Sequence, residues 1–158
     1  MERFHLNWVG PFNVSELRKI IFEEKISKAP WWMTWQGIYM FLDQSHIVLY
    51  VGSATKERGF ALRKRIREHL RGSTDFSVRL KKNNMNIDDL QLMAAPDDKQ
   101  KFSYKDILNI EGIITRELNP PGNSEDLMEV VNDGSFRPAL PERIRAGLSG
   151  YLKTHEQS

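Results

Sequence analysis

The sequence predicts an α+β domain, a small, roughly three-stranded antiparallel sheet flanked by helices. Three observations carry this. Two apolar runs, residues 37–42 and 47–52, are separated by Asp43, Gln44, Ser45 and His46, a loop of hairpin length. Apolar residues recur at helical spacing on both sides of that hairpin. Turn signals at Pro30, Gly72 and the Pro120 and Pro121 pair close the helical stretches.

The elements follow in order. Asn13 and Glu16 have capping-box spacing ahead of Leu17, Ile20 and Ile21, which predicts a helix to about Ser27, ended by Ala29 and Pro30. The hairpin strands come next. Residues 60–71 read as a helix that stops at Gly72, and 87–94 as a third strand. Residues 103–118 read as a helix ended by Asn119 and Pro120. Ser124 is placed to cap a further helix, with Glu125 and Asp126 in its first turn, and Pro141 opens a last one to about Lys153.

A chain of 158 residues fits one domain with extensions, and 40% hydrophobic with 28% charged residues is ordinary globular usage. No apolar run approaches 18 residues and no signal-type stretch follows Met1, so a cytoplasmic protein without a membrane span is expected. Cysteine is absent, which excludes disulfides, thiolate zinc sites and a cysteine nucleophile. With four histidines, at positions 5, 46, 69 and 155, the metal to expect is a hard cation on oxygen ligands.

Charge is uneven. Residues 56–82 hold ten basic residues against three acids, a net +7, whereas the remainder carries 13 basic and 18 acidic residues, a net −5. Such a block is the electrostatic footprint of a polyanion site, or else a solvated helix face. Its candidate contacts are Lys56, Arg58, Arg63, Lys64, Arg67, Arg71, Lys81 and Lys82, with Arg63, Lys64, Arg67 and Arg71 expected to point towards solvent.

A four-residue hairpin loop sets Tyr39 opposite Tyr50, on a face shared with Phe41, Val48, Gly37 and Gly52. The other face, Ile38, Met40, Leu42, Ile47, Leu49 and Val51, is aliphatic and is expected to be the core face. The tyrosines are then expected on the opposite surface, beside glycines that leave room for a ligand. A pair that only stabilises the hairpin is the simpler alternative.

Two helices bring polar residues to apolar stripes. In 60–71 the stripe is Leu62, Ile66 and Leu70, and Arg65 and His69 lie one turn apart on its flank. In 103–118, Glu111 falls within the stripe Ile107, Ile110, Ile114 and Leu118. A carboxylate there is costly unless it is paired or binds a cation. Outside these segments, Trp31, Trp32 and Trp35 either stack on bases or, as the residues favour, anchor the N-terminal segment.

Gly37, Ile38 and Tyr39, with Tyr50, Val51 and Gly52 after them, resemble the GIY-YIG nuclease motif, valine replacing the usual isoleucine. The rest of the pattern is present in order: Arg65 and His69 on the next helix, Glu111 on a later one, and Asn123 after the proline pair. Ser53 stands where many members carry lysine. The resemblance implies a GIY-YIG nuclease domain over residues 37–123; outside it, the residues themselves lead to the expectation of a helical arm at 1–36 packed on the domain and a helical extension of the same globule at 124–158. The resemblance also implies a metal-dependent DNA endonuclease; the short segments outside the motif favour a restriction or phage-defence type, with a structure-specific repair or recombination nuclease as an alternative. A nucleic-acid-binding module that kept the fold and lost turnover is the alternative.

The resemblance assigns six site residues. Tyr39 takes the proton from water and His69 relays it, Tyr50 holds the water or phosphate, and Arg65 clamps the phosphoryl oxygens. Glu111 holds one Mg²⁺ or Mn²⁺, and Asn123 positions the phosphate or the metal shell. One site per chain means that a double-strand break needs two copies, such as a dimer on DNA, or two visits.

Overall fold

A computed structural model describes residues 6–23, 30–55 and 61–123. Its elements are β1 (Val9–Asn13), α1 (Val14–Glu23), β2 (Gly37–Leu42), β3 (Val48–Ala54), α2 (Ala61–Arg71), α3 (Asp75–Lys82), β4 (Gln91–Pro96) and α4 (Tyr104–Leu118), with short 3-10 turns at Trp31–Thr34, Ile87–Asp89 and Pro121–Asn123. The class is α+β. The four strands form one antiparallel sheet in the order β1-β4-β2-β3. No described helix is long and apolar enough to cross a membrane.

The sheet has four strands rather than three because β1 adds an edge strand on β4. Gly10 and Pro11 hide that strand from pattern reading. Proline cannot donate to a ladder and is tolerated only at an edge, where the register here slips between Val9 and Phe12. Residues before Gly37 are therefore more than a helical arm. Asn13 ends β1, and α1 starts at Val14, whose N–H donates to the Leu90 carbonyl. The third strand expected at 87–94 lies at Gln91–Pro96, because Asn86 accepts from the Asp88 N–H and turns the chain first. The expected helices beyond Ser124 lie outside the described residues.

The hairpin register also differs. Tyr39 pairs with Gly52 and Phe41 with Tyr50, so each tyrosine is two positions from the expected partner. An irregularity between Phe41 and Leu42 makes Leu42 pair with Val48 and leaves Leu49 as the extra residue. Its cause lies in the loop: Asp43 Oδ1 accepts from the N–H of Ser45 and of Ile47, and the Asp43 N–H donates to the Ile47 carbonyl. The slip is two residues, so both tyrosines keep their face; the bulge moves Val48 to the α4 face and puts Leu49, with half-buried Ile47, on the tyrosine face.

Both faces of the sheet are covered, and all six residues of β2 are buried. On one face Ile38, Met40, Leu42, Val48, Val51 and Met93 meet Ile107, Ile110, Ile113 and Ile114 of α4. Each such side chain contributes roughly 1.5–3 kcal/mol by leaving water. The other face, expected to be open, carries Tyr39, Phe41, Leu49 and Leu92 under Leu17 and Ile21 of α1, Leu62, Ile66 and Leu70 of α2, and Phe76 and Leu80 of α3. Trp32 packs in this layer, stacked on Phe12 at 5.5 Å, whereas Trp31 remains exposed.

Helix ends follow local chemistry. Ser103 caps α4 in a reciprocal box with Asp106, and Asn119, left-handed at φ 43°, closes it before the prolines. Thr74 caps α3 in the same way with Ser77. Helix α3 is absent from the expectation above, since serine replaces the acid or amide that usually marks the third helical position.

Candidate functional site

Strand β3 is the edge strand opposite β1, and a cleft of about 270 Å³ opens beside it. Tyr39, Tyr50, Ser53, Thr55, Arg65, Tyr104, Leu108 and Glu111 line it. Four of the six expected site residues, Tyr39, Tyr50, Arg65 and Glu111, thus meet in one place. The sheet explains how. Tyr39 and Tyr50 extend from its α2 face, whereas Ser53 belongs to the opposite parity and meets Glu111 from α4, its hydroxyl donating to Oε2 at 2.8 Å.

The space over Gly52 is occupied. A Cβ at Gly52 would collide with the ring and hydroxyl of Tyr39, and one at Gly37 with the Ala95 carbonyl. The glycines expected to make room for a ligand make room for the protein itself. Gly52 lets the Tyr39 ring lie across β3 and carry its hydroxyl to the cleft.

His69 is fully buried behind Tyr39. Its Nε2 lies 2.6 Å from the Tyr39 hydroxyl and its Nδ1 2.6 Å from Thr74 Oγ1. The imidazole packs edge-on to Tyr39, Phe41, Tyr50 and Phe76, with centroids 5.2 to 5.9 Å away. Burial, with the Arg65 charge adding to it, lowers its pKa to about 3, so it is neutral at physiological pH. Tyr50 is held by stacking on Phe76, 4.5 Å between centroids and 10° between planes.

Burial pushes the Tyr39 phenol well above its ordinary pKa, with neighbouring Tyr50 adding to the rise and Arg65 opposing it. Tyr50 is raised by burial as well, again against Arg65. For Arg65 itself burial works against the charge, but the Tyr39 oxygen, Glu68 and Tyr50 outweigh it and the pKa rises. Glu68 accepts from Arg65 Nη1 at 2.6 Å and so holds the guanidinium at the cleft.

Glu111 is half-buried, and burial raises its pKa against the Ser53 bond and the Arg65 charge. It forms no ion pair among the described residues, and its Oε1 has no hydrogen-bond partner there. A desolvated carboxylate with one oxygen uncommitted, in a polar cleft, fits a hard divalent cation, which takes one or two carboxylates and keeps several waters. No group of three or more acids, histidines or cysteines able to hold a metal occurs among the described residues.

Asn123 stands elsewhere than expected. Its side-chain amide accepts from the Val51 N–H and donates to the Val51 carbonyl, both at 3.0 Å. It closes the free edge of β3 between Tyr50 and Gly52, and its amide is thereby engaged with backbone rather than offered to a phosphate or a metal shell. It is a positioning residue.

The basic block divides. Arg63 and Arg67 do not point to solvent: Arg63 Nη2 donates to the Ile21 carbonyl, and Arg67 lies 5.4 Å over the Phe22 ring of α1. Arg71, exposed, lies 5.8 Å from the same ring. At 100° per residue Arg63 and Arg67 are on the side of α2 away from Arg65. Lys64, Lys81 and Lys82 are exposed, and Lys56 and Arg58 lie outside the described residues.

Sequence reasoning missed Thr74, Glu68, Phe76 and the cleft lip of Tyr104 and Leu108. A signal existed for the lip, since Tyr104, Leu108 and Glu111 follow helical spacing; for Thr74 it was the Gly72, Ser73, Thr74, Asp75 run that announces a capped helix. Comparison with protein-family models, curated proteins and solved structures returned no match to this chain.

Proposed function

We propose that this chain is a metal-dependent phosphodiester hydrolase acting on DNA, with the chemistry of the GIY-YIG nucleases its sequence resembles. The observation that carries the reading is the meeting of two phenols, a guanidinium and a carboxylate without an ion pair among the described residues around one cleft, from β2, β3, α2 and α4. Phosphodiester hydrolysis needs an activated water, neutralised phosphoryl charge and a stabilised leaving oxygen.

Each need has a residue. Arg65, permanently charged and aimed by Glu68, binds the phosphoryl oxygens. Tyr50, fixed against Phe76, directs its hydroxyl to the same space. Tyr39 accepts a proton from water as its own passes to His69 Nε2, 2.6 Å away. One water O–H and the original Tyr39 O–H break, and a new Tyr39 O–H and an Nε2–H form, leaving hydroxide and imidazolium. Two proton shifts of this kind spare the buried phenol an isolated negative charge. Glu111, with Ser53 holding one oxygen, is the residue to hold Mg²⁺ or Mn²⁺. When bound, such an ion neutralises charge on the phosphate and on the leaving oxygen.

The test is a panel of labelled linear, nicked, branched and single-stranded DNA, with RNA, incubated with Mg²⁺ and with EDTA, products mapped to the nucleotide. Metal-dependent cleavage lost in Arg65→Ala supports the reading and identifies the substrate. DNA binding without cleavage in any divalent metal replaces it with the binding-module alternative.

A further inference from the structure

The cap of α3 does more than start a helix. Thr74 Oγ1 has three polar neighbours: the Ser77 N–H at 3.2 Å, Ser77 Oγ at 3.0 Å and His69 Nδ1 at 2.6 Å. Ser77 Oγ also has three: the Thr74 N–H at 3.0 Å, the Thr74 carbonyl at 2.8 Å and Thr74 Oγ1. All of these groups are buried.

The hydrogens can be assigned by counting. A carbonyl only accepts, so the single Ser77 hydroxyl hydrogen goes to the Thr74 carbonyl. The contact between the two hydroxyl oxygens must then take its hydrogen from Thr74. That leaves none on Thr74 for His69, and the 2.6 Å contact is a hydrogen bond only if Nδ1 carries the proton. In this arrangement both hydroxyl oxygens accept twice and donate once, and every contact is used. With the hydrogen on Nε2 instead, two hydrogens would serve three contacts, and either the two hydroxyl oxygens would face each other at 3.0 Å without a hydrogen between them or Nδ1 would be left without one.

From this we infer that the Thr74 and Ser77 pair locks His69 as the Nδ1–H tautomer, leaving Nε2 bare to accept the Tyr39 hydroxyl hydrogen. Thr74 is thus a positioning residue acting through His69. The opposite tautomer would present an N–H to Tyr39, and the imidazole could not take its proton. The tautomer stands on the contacts alone; its bearing on turnover rests on the hydrolase reading.

The test is nitrogen NMR of the full chain with ¹⁵N-labelled histidine, at neutral pH, without DNA or metal. The expected His69 spectrum shows a protonated, pyrrole-type Nδ1 and an unprotonated, pyridine-type Nε2. Thr74→Ser, which keeps the hydroxyl, retains this pattern. Ser77→Ala frees the Thr74 hydrogen to turn to Nδ1 and moves the population towards Nε2–H. A wild-type spectrum with Nε2 protonated overturns the inference, as does Ser77→Ala keeping the wild-type pattern. If a cleaved substrate is found, Thr74→Val lowers kcat roughly 10–100-fold with KM little changed, and Thr74→Ser restores it. The expected spectrum on a chain that cleaves nothing leaves the tautomer standing and removes only the hydrolase reading.

Discussion

The two faces of the sheet are built from different materials. Towards α4 the core is mainly aliphatic: four isoleucines of the helix against isoleucine, methionine, leucine and valine of the strands, with Trp8 and Phe102 packed beside them. Towards α1, α2 and α3 aliphatic residues of the helices surround an aromatic centre, in which a neutral histidine is enclosed among Tyr39, Phe41, Tyr50 and Phe76. Aliphatic packing is non-directional and tolerates changes of shape. The aromatic layer has polar tips whose partners must be supplied one by one, from His69 to Thr74 and Ser77. One face supplies stability and the other supplies orientation, and the cleft forms at the strand edge where a residue of each, Glu111 and Tyr39, comes within reach.

The largest effect expected is on turnover. Glu111→Gln keeps the shape and an acceptor for Ser53 but removes the charge, and should reduce metal-dependent cleavage about 10⁴-fold, or about 5.4 kcal/mol. DNA binding and the thermal midpoint should be retained. Full nicking of plasmid by this variant in Mg²⁺ would remove the metal assignment.

Acid should damage the aromatic face first. His69 has a pKa of about 3 when folded, because it is buried, and near 6.5 when unfolded, so between those values the unfolded chain binds the extra proton. Stability is therefore full above pH 6.5 and is lost as pH falls towards 3, by on the order of 5 kcal/mol in all. Denaturant midpoints measured from pH 7 to 4 should fall, and His69→Gln should flatten the fall. Equal slopes in both proteins would place the acid sensitivity elsewhere.

The aliphatic face should respond to size and not to chemistry. Ile110→Ala, fully buried, should cost about 3 kcal/mol in urea unfolding, yet leave the turnover of the folded fraction unchanged. A selective loss of turnover would mean that α4 aligns Glu111 more tightly than this division allows. Smallest is the effect of exposed charge. Replacing Lys64, Lys81 and Lys82 by glutamine should leave stability within about 0.5 kcal/mol. If all three meet phosphates, the log–log salt slope of DNA binding falls by roughly 2–3. Arg63→Gln and Arg67→Gln should instead register in stability, since those side chains hold α1.

Much of this was legible before any coordinates. The strand parity that puts Tyr39 and Tyr50 together survives a register error of two, because side chains alternate with period 2. The 3.6-residue period likewise places Arg65 and His69 on one flank of α2 and buries Leu62, Ile66 and Leu70. The bulge at Leu49 was not legible, since it follows from Asp43 bonding inside its own loop. Nor was β1, whose Pro11 is admissible only at an edge that the sequence does not reveal.

Local periodicity and residue chemistry, both properties of the chain, determined which side chains share a face and which groups can carry charge or a proton. Only the tertiary structure decided that both faces of the sheet are covered, that Asn123 seals β3, and that Thr74 stands behind His69. Those are contacts between residues far apart in sequence, 72 positions for Asn123 and Val51, or, for Thr74 and His69, across a turn from one helix to the cap of the next. Nothing in a local window records which distant hydrogen-bonding group will satisfy a buried one; that follows from packing the whole chain.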